Sequence, residues 1–123
     1  MRVNSELQSI RKLLGSGNTS EALNLNSKYV ENGVPVAMYF QAATQLITSK
    51  SKRQKIDLAF SLLKRSASYG CIISQLYLAE IYFFGTVVPQ DKAMNHKWLN
   101  IAASSGFKSV VNIREEMKNE VSK

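Results

Sequence analysis

An all-α fold of repeated helix pairs is what this chain predicts, from three observations. Gly33, Gly70 and Gly106 close the related phrases "LNSKYVENG", "LLKRSASYG" and "WLNIAASSG", so they recur at spacings of 37 and 36 residues. A period of that length is the signature of a stacked repeat built from one small structural unit. No window of the 123 residues alternates apolar and polar side chains for long, and the chain holds only two prolines and six glycines, which argues against a sandwich or barrel. Within the aligned phrases, Ala22, Ala59 and Asn95 share one column, Leu25, Leu62 and Trp98 a second, and Val30, Ala67 and Ala103 a third. Within each phrase these positions fall three, five and three residues apart, which fits one stripe of an α-helix. Glycine follows the stripe because it takes the left-handed conformation that closes a helix without steric cost.

The elements follow in order. Helices are expected at 3–14, 19–31, 35–48, 55–69, 73–84, 91–104 and 107–120. "GSG" at 15–17 is a turn after the first of them. Thr19 or Ser20 caps the second, and Pro35 suits the first turn of the third. The fourth follows the basic run "SKSKRQK" and ends at Gly70, while the fifth, "IISQLYLAEIYFFG", ends at Gly85. Asp91 caps the sixth. The seventh places Val110, Ile113, Met117 and Val121 on one face with charges elsewhere, as expected of a helix that caps one end of a stack.

Composition narrows the class further. Nearly half of the residues are apolar, enough for one domain to bury its own core. The N-terminus lacks the apolar run of a signal peptide, no stretch approaches the length of a membrane span, and Cys71 is alone. A cytoplasmic protein is therefore expected, with Cys71 a small hydrophobe beside a helix start. Sixteen lysines and arginines against nine acids give a net charge of +7, which favours acidic partners and opposes self-association. Lys50, Lys52, Arg53 and Lys55 concentrate part of that excess in what reads as an interhelical loop.

Residues 76–106, "LYLAEIYFFGTVVPQDKAMNHKWLNIAASSG", resemble the Sel-one-like repeat, a relative of the tetratricopeptide repeat. Leu78, Tyr82, Gly85, Val88, Asp91, Trp98, Ala102, Ala103 and Gly106 follow the family order. Ala79 stands where the family has glycine, and Met94-Asn95 where it has Lys-Ala, a change expected only to loosen one helix contact. The middle unit keeps Ala42, Ala59, Leu62, Ala67 and Gly70, and the first keeps Ala22, Leu25 and Gly33. The resemblance implies an α/α superhelix, or solenoid, forming a single domain of about three repeats (3–33, 35–70 and 72–106) plus the capping helix. First helices would line its concave side. By that alignment the concave residues are Tyr39, Ala43, Leu46 and Ile47 in the second unit and Leu76, Glu80, Phe83 and Phe84 in the third. Leu78, Ile81 and Tyr82 already supply the packing side of their helix, so Phe83 and Phe84 extend the apolar surface beyond the core stripe.

The chemistry of catalysis is thinly represented. His96 is the sole histidine, no metal-ligand spacing accompanies it, and no glycine-rich phosphate loop follows a strand. The carboxylates of "REE" at 114–116 diverge by about 100° on a helix. A non-enzymatic protein with no cofactor and no metal is expected. Nucleic acid is an alternative partner through the loop at 50–55, with Lys64 and Arg65 nearby, but no aromatic residues interleave with the cations, so only weak binding follows. The resemblance favours an interaction module that binds one protein partner on its concave face, as an immunity (toxin-neutralising) or adaptor protein, and the positive charge favours an acidic partner.

Overall fold

A computed structural model describes residues 2–48 and 52–104. Among them are six helices and no strand: α1 (Arg2–Gly15), α2 (Thr19–Glu31), α3 (Pro35–Thr48), α4 (Arg53–Ser68), α5 (Ile72–Phe84) and α6 (Lys92–Ser104). The helix expected at 107–120, Gly106 and the paired carboxylates at 115–116 lie outside the described residues. The chain divides into two compact units, Met1–Cys71 with α1 to α4 and Ile72–Lys123 with α5 and α6.

Three of the helices end in the same way. After α1, α2 and α4 a glycine takes positive φ: Gly17 at 87°, Gly33 at 74° and Gly70 at 96°. In each case the next amide bonds five residues back, Asn18 to Leu13, Val34 to Tyr29 and Cys71 to Ser66, while the glycine amide itself bonds three residues back. This double closure satisfies carbonyls that a helix end leaves open. Gly33 and Gly70, the described members of the periodic set, are therefore stop signals whose conformation only glycine adopts cheaply. Cys71 takes part through its backbone and is half-buried rather than enclosed.

In the first unit, Ile10, Ala22, Tyr29 and Ala37 form a buried cluster, with Leu7, Leu13, Leu14, Val30, Val34 and Phe40 packed against it. Leu7, Ile10 and Leu14 recur every three or four residues, so α1 buries one stripe. Two polar side chains tie neighbouring helices: Asn26 Nδ2 donates to the Ala37 carbonyl at 2.8 Å, and Ser66 Oγ donates to the Pro35 carbonyl at 2.6 Å. Both residues are fully buried, where an unbonded polar group costs about 1–3 kcal/mol. An exposed ion pair of 3.1 Å joins Lys28 to Glu6.

The second unit pairs α5 with α6. Leu76 and Ala102 are buried together, with Ile72 and Leu99 against them. Trp98 is also buried, whereas Leu25 of the same repeat column is 47% exposed. Likewise Ala103 is exposed and the adjacent Ala102 occupies the core. The repeat columns thus mark a shared sequence spacing more closely than a shared degree of burial. Asn95, expected to loosen a contact, donates through Nδ2 to the Ala79 carbonyl at 2.7 Å and so fastens α6 to α5.

Candidate protein-docking surface

The α5 sequence contains one charged residue, Glu80. At 3.6 residues per turn, Ile73, Tyr77, Glu80 and Phe84 fall within an arc of about 60° of that helix, and Phe83 borders it. The opposite side, carrying Ser74, Gln75, Leu78, Ala79 and Ile81, is buried. Ile73 and Phe83 are each 48% exposed, and Phe84 is 42% exposed, while Tyr77 and Glu80 are half-buried. The two phenyl rings meet edge to face, centroids 4.9 Å apart at 88°. An edge-to-face pair of this kind is favourable and restricts both side chains, so their apolar surface is presented in a defined arrangement.

The loop after α5 holds this end of the helix. Gly85 takes φ of 68°, and its amide bonds to the Ile81 carbonyl at 2.9 Å. Gln90 Nε2 donates to the Phe83 carbonyl at 2.9 Å, and the Asp91 amide to the Tyr82 carbonyl at 2.9 Å. Asp91 then caps α6, its Oδ1 accepting from the Met94 amide at 3.1 Å. One short loop therefore satisfies the last carbonyls of α5 and starts α6. The Tyr82 phenol is pushed above its ordinary pKa, first by burial and then by the Asp91 carboxylate. Burial alone raises the Glu80 carboxyl, because the surrounding apolar surface disfavours its charged form.

The expected surface residues divide by burial. Phe83, Phe84 and Ile47, the last 62% exposed, stand open; Tyr39 and Leu46 are half-buried, with the Tyr39 ring 5.9 Å from that of Phe40. Ala43 and Leu76 are buried and belong to the core, Leu76 because α6 covers it. Ile73 and Tyr77 were missed in the sequence, although their spacing of seven and three residues from Glu80 places them on its face.

The basic run is arranged differently from the expected loop. Lys50 lies outside the described residues. Helix α4 begins at Arg53, two residues early, so Arg53 and Lys55 are helical and Lys52 is its uncapped N-terminal neighbour. Arg53 pairs with Asp57 at 3.0 Å. No acid occupies the first turn of α4, so these cations face the positive end of the helix dipole, which disfavours them. The second helix also departs from expectation: its cap position is Asn18, with Thr19 and Ser20 already helical. His96 is exposed, and no group of three or more His, Cys, Asp or Glu side chains gathers among the described residues.

Comparison with known proteins places the fold. No family model matches the chain, and no curated protein does. Among solved structures, the chain is similar to a Sel1 repeat protein from Oxalobacter formigenes, with a TM-score of 0.59 and 24% identity over 69% of this chain. The similar region spans 64% of that protein. The chain has the Sel1-type helical-repeat fold, in the all-α solenoid class. No helix among the described residues is long and apolar enough to cross a membrane.

Proposed function

We propose that this chain is a non-enzymatic protein-interaction module that binds one protein partner through its first-helix faces, as an immunity or adaptor protein. The observation that carries this reading is the exposed Phe83–Phe84 pair with Ile73 on the same helix, held in place by the Gly85–Asp91 loop. Exposed apolar groups gathered on one face are characteristic of binding surfaces, whereas scattered ones are ordinary. The corresponding α3 positions, Tyr39, Leu46 and Ile47, form a second contact surface in the first unit, with Ala43 supporting it from beneath. The net charge of +7 favours an acidic partner, and the single cysteine suits a cytoplasmic setting. Lys50, Lys52, Arg53 and Lys55 act as an electrostatic element in the encounter.

The test is capture of the partner from nuclease-treated native lysate by the tagged chain, at low and moderate salt, using wild type beside Phe83→Ala/Phe84→Ala. One stoichiometric protein retained at moderate salt by wild type and lost by the folded double variant is the expected result. Retention that ignores the double variant removes the α5 face from the reading. Nucleic acid held at low salt, with no protein, would transfer the function to the basic segment.

A further inference from the structure

We propose that the α5 face takes a partner segment carrying one arginine or lysine between apolar residues, the cation pairing with Glu80 and the flanking side chains packing on Ile73, Tyr77, Phe83 and Phe84. This rests on the reading that α5 docks a protein and adds the chemistry of what it docks. The first argument is charge. The chain has 16 cations for nine acids, yet among the described residues Glu80 has neither a hydrogen bond nor an ion pair. Glu6 and Asp57 are paired with cations and Asp91 caps a helix, each of them exposed to water. Glu21 and Glu31 have no such partner either but are exposed, so among the described acids Glu80 is the half-buried exception, lying between apolar side chains on both sides along its helix.

The second argument is the rings. Elsewhere a lysine lies over an aromatic face: Lys28 over Tyr29 at 5.1 Å, Lys64 over Phe60 at 5.0 Å and Lys97 over Trp98 at 5.7 Å. Phe83 and Phe84 meet each other, and no described cation lies over either. Glu80 sits three and four residues before them, one helical turn away on the same side. A carboxylate beside two phenyl rings that no described cation covers is complementary to a cation with a long apolar stem, which pairs at its head and packs along its length. A guanidinium fits best, since it binds a carboxylate with two parallel hydrogen bonds and stacks on rings. The overall acidity expected of the partner and this single basic residue act at different ranges, the first steering the encounter and the second fixing register.

The experiment selects a displayed library of random 12-residue peptides on the full wild-type chain at moderate salt. Enriched peptides are then titrated against wild type, Glu80→Gln and Phe83→Ala/Phe84→Ala, each checked for helicity by circular dichroism. Enriched peptides should carry Arg or Lys between apolar residues and bind Glu80→Gln at least tenfold more weakly. Replacing the peptide cation by norleucine should cost the same factor on wild type and nothing on Glu80→Gln. Peptides that lose affinity for the double phenylalanine variant but not for Glu80→Gln would overturn the cation and leave α5 docking standing. Peptides indifferent to both variants, or no enrichment at all, would overturn both. A wild-type dimer in sedimentation that Glu80→Gln makes monomeric would assign the face to a second copy and also overturn the proposal.

Discussion

At the scale of single residues, Gly85 and Glu80 show how the docking face is built and what it costs. A Cβ at Gly85 would meet the Gln90 amide nitrogen at 2.9 Å, and φ of 68° is a conformation that L side chains rarely adopt. Gly85→Ala should therefore destabilise the protein by about 2–3 kcal/mol in urea unfolding and weaken capture of the partner, because Gln90 is displaced from the Phe83 carbonyl. Glu80 acts in the opposite sense. Its pKa is raised in the folded state above the ordinary 4.5, so the native protein holds that proton more tightly than the unfolded chain. The resulting stabilisation is present below the ordinary value and is lost as pH rises through the folded value, leaving ionised Glu80 a liability at neutral pH. Glu80→Gln should raise Tm by about 1–2 °C at pH 7, the small size reflecting contact with water, and the advantage should vanish below about pH 4. Equal melting of the two proteins at both pH values would show that Glu80 carries no such burden. A residue that lowers stability while sitting on the exposed face is the pattern expected of a functional position.

At the scale of elements, the helix ends differ in how well they are closed. Asp91 caps α6 and also leads directly from the loop that holds α5. Asp91→Ala should cost about 1 kcal/mol, while Asp91→Asn should keep most of the stability, as chemical denaturation would reveal. Helix α4 has the reverse problem, with Lys52 at its cap making no side-chain bond and no acid in the first turn. Lys52→Asp should stabilise the fold by about 1 kcal/mol, since it supplies both a cap and a favourable charge. If Lys52 belongs to the encounter surface, the same change should slow partner association, and stability and binding would then move in opposite directions. These closures were legible in part: Asp91, Gly33 and Gly70 announce themselves by type and place, whereas Asn18, Thr19 and Ser20 are all favoured cap types, so propensity alone does not choose among them. The early start of α4 was hidden because basic residues are poor indicators of a helix N-terminus.

At the scale of the whole molecule, a charge of +7 acts over distances that no contact does. Reversing Lys50, Lys52, Arg53 and Lys55 to glutamate should lower the association rate with the captured partner by about tenfold at low salt and flatten its salt dependence. Dissociation should change little, since the lasting contact is assigned to the apolar α5 face. Stopped-flow measurements at two ionic strengths separate the two effects, and an unchanged association rate would reduce the basic segment to a solvated surface.

The order of helices, the glycine stops and the all-α repeat fold could be read from the chain by itself, because they depend on residue type and on spacings short enough for local geometry to dictate. Leu78 and Ile81 could likewise be placed in the core by period. Tertiary structure alone decided that Leu76 and Ala43, expected on the same surface as Phe83 and Phe84, are buried, and that Ile73 is open, since all five are apolar and share one helical periodicity within their elements. What separates them is whether a neighbouring helix lies above, as α6 does over Leu76. The same holds for Asn95, at a repeat column, and for Ser66, polar side chains whose value depends on a carbonyl of another helix coming within 2.7 and 2.6 Å. Local sequence sets which face of a helix is apolar, and only packing settles which part of that face remains for a partner.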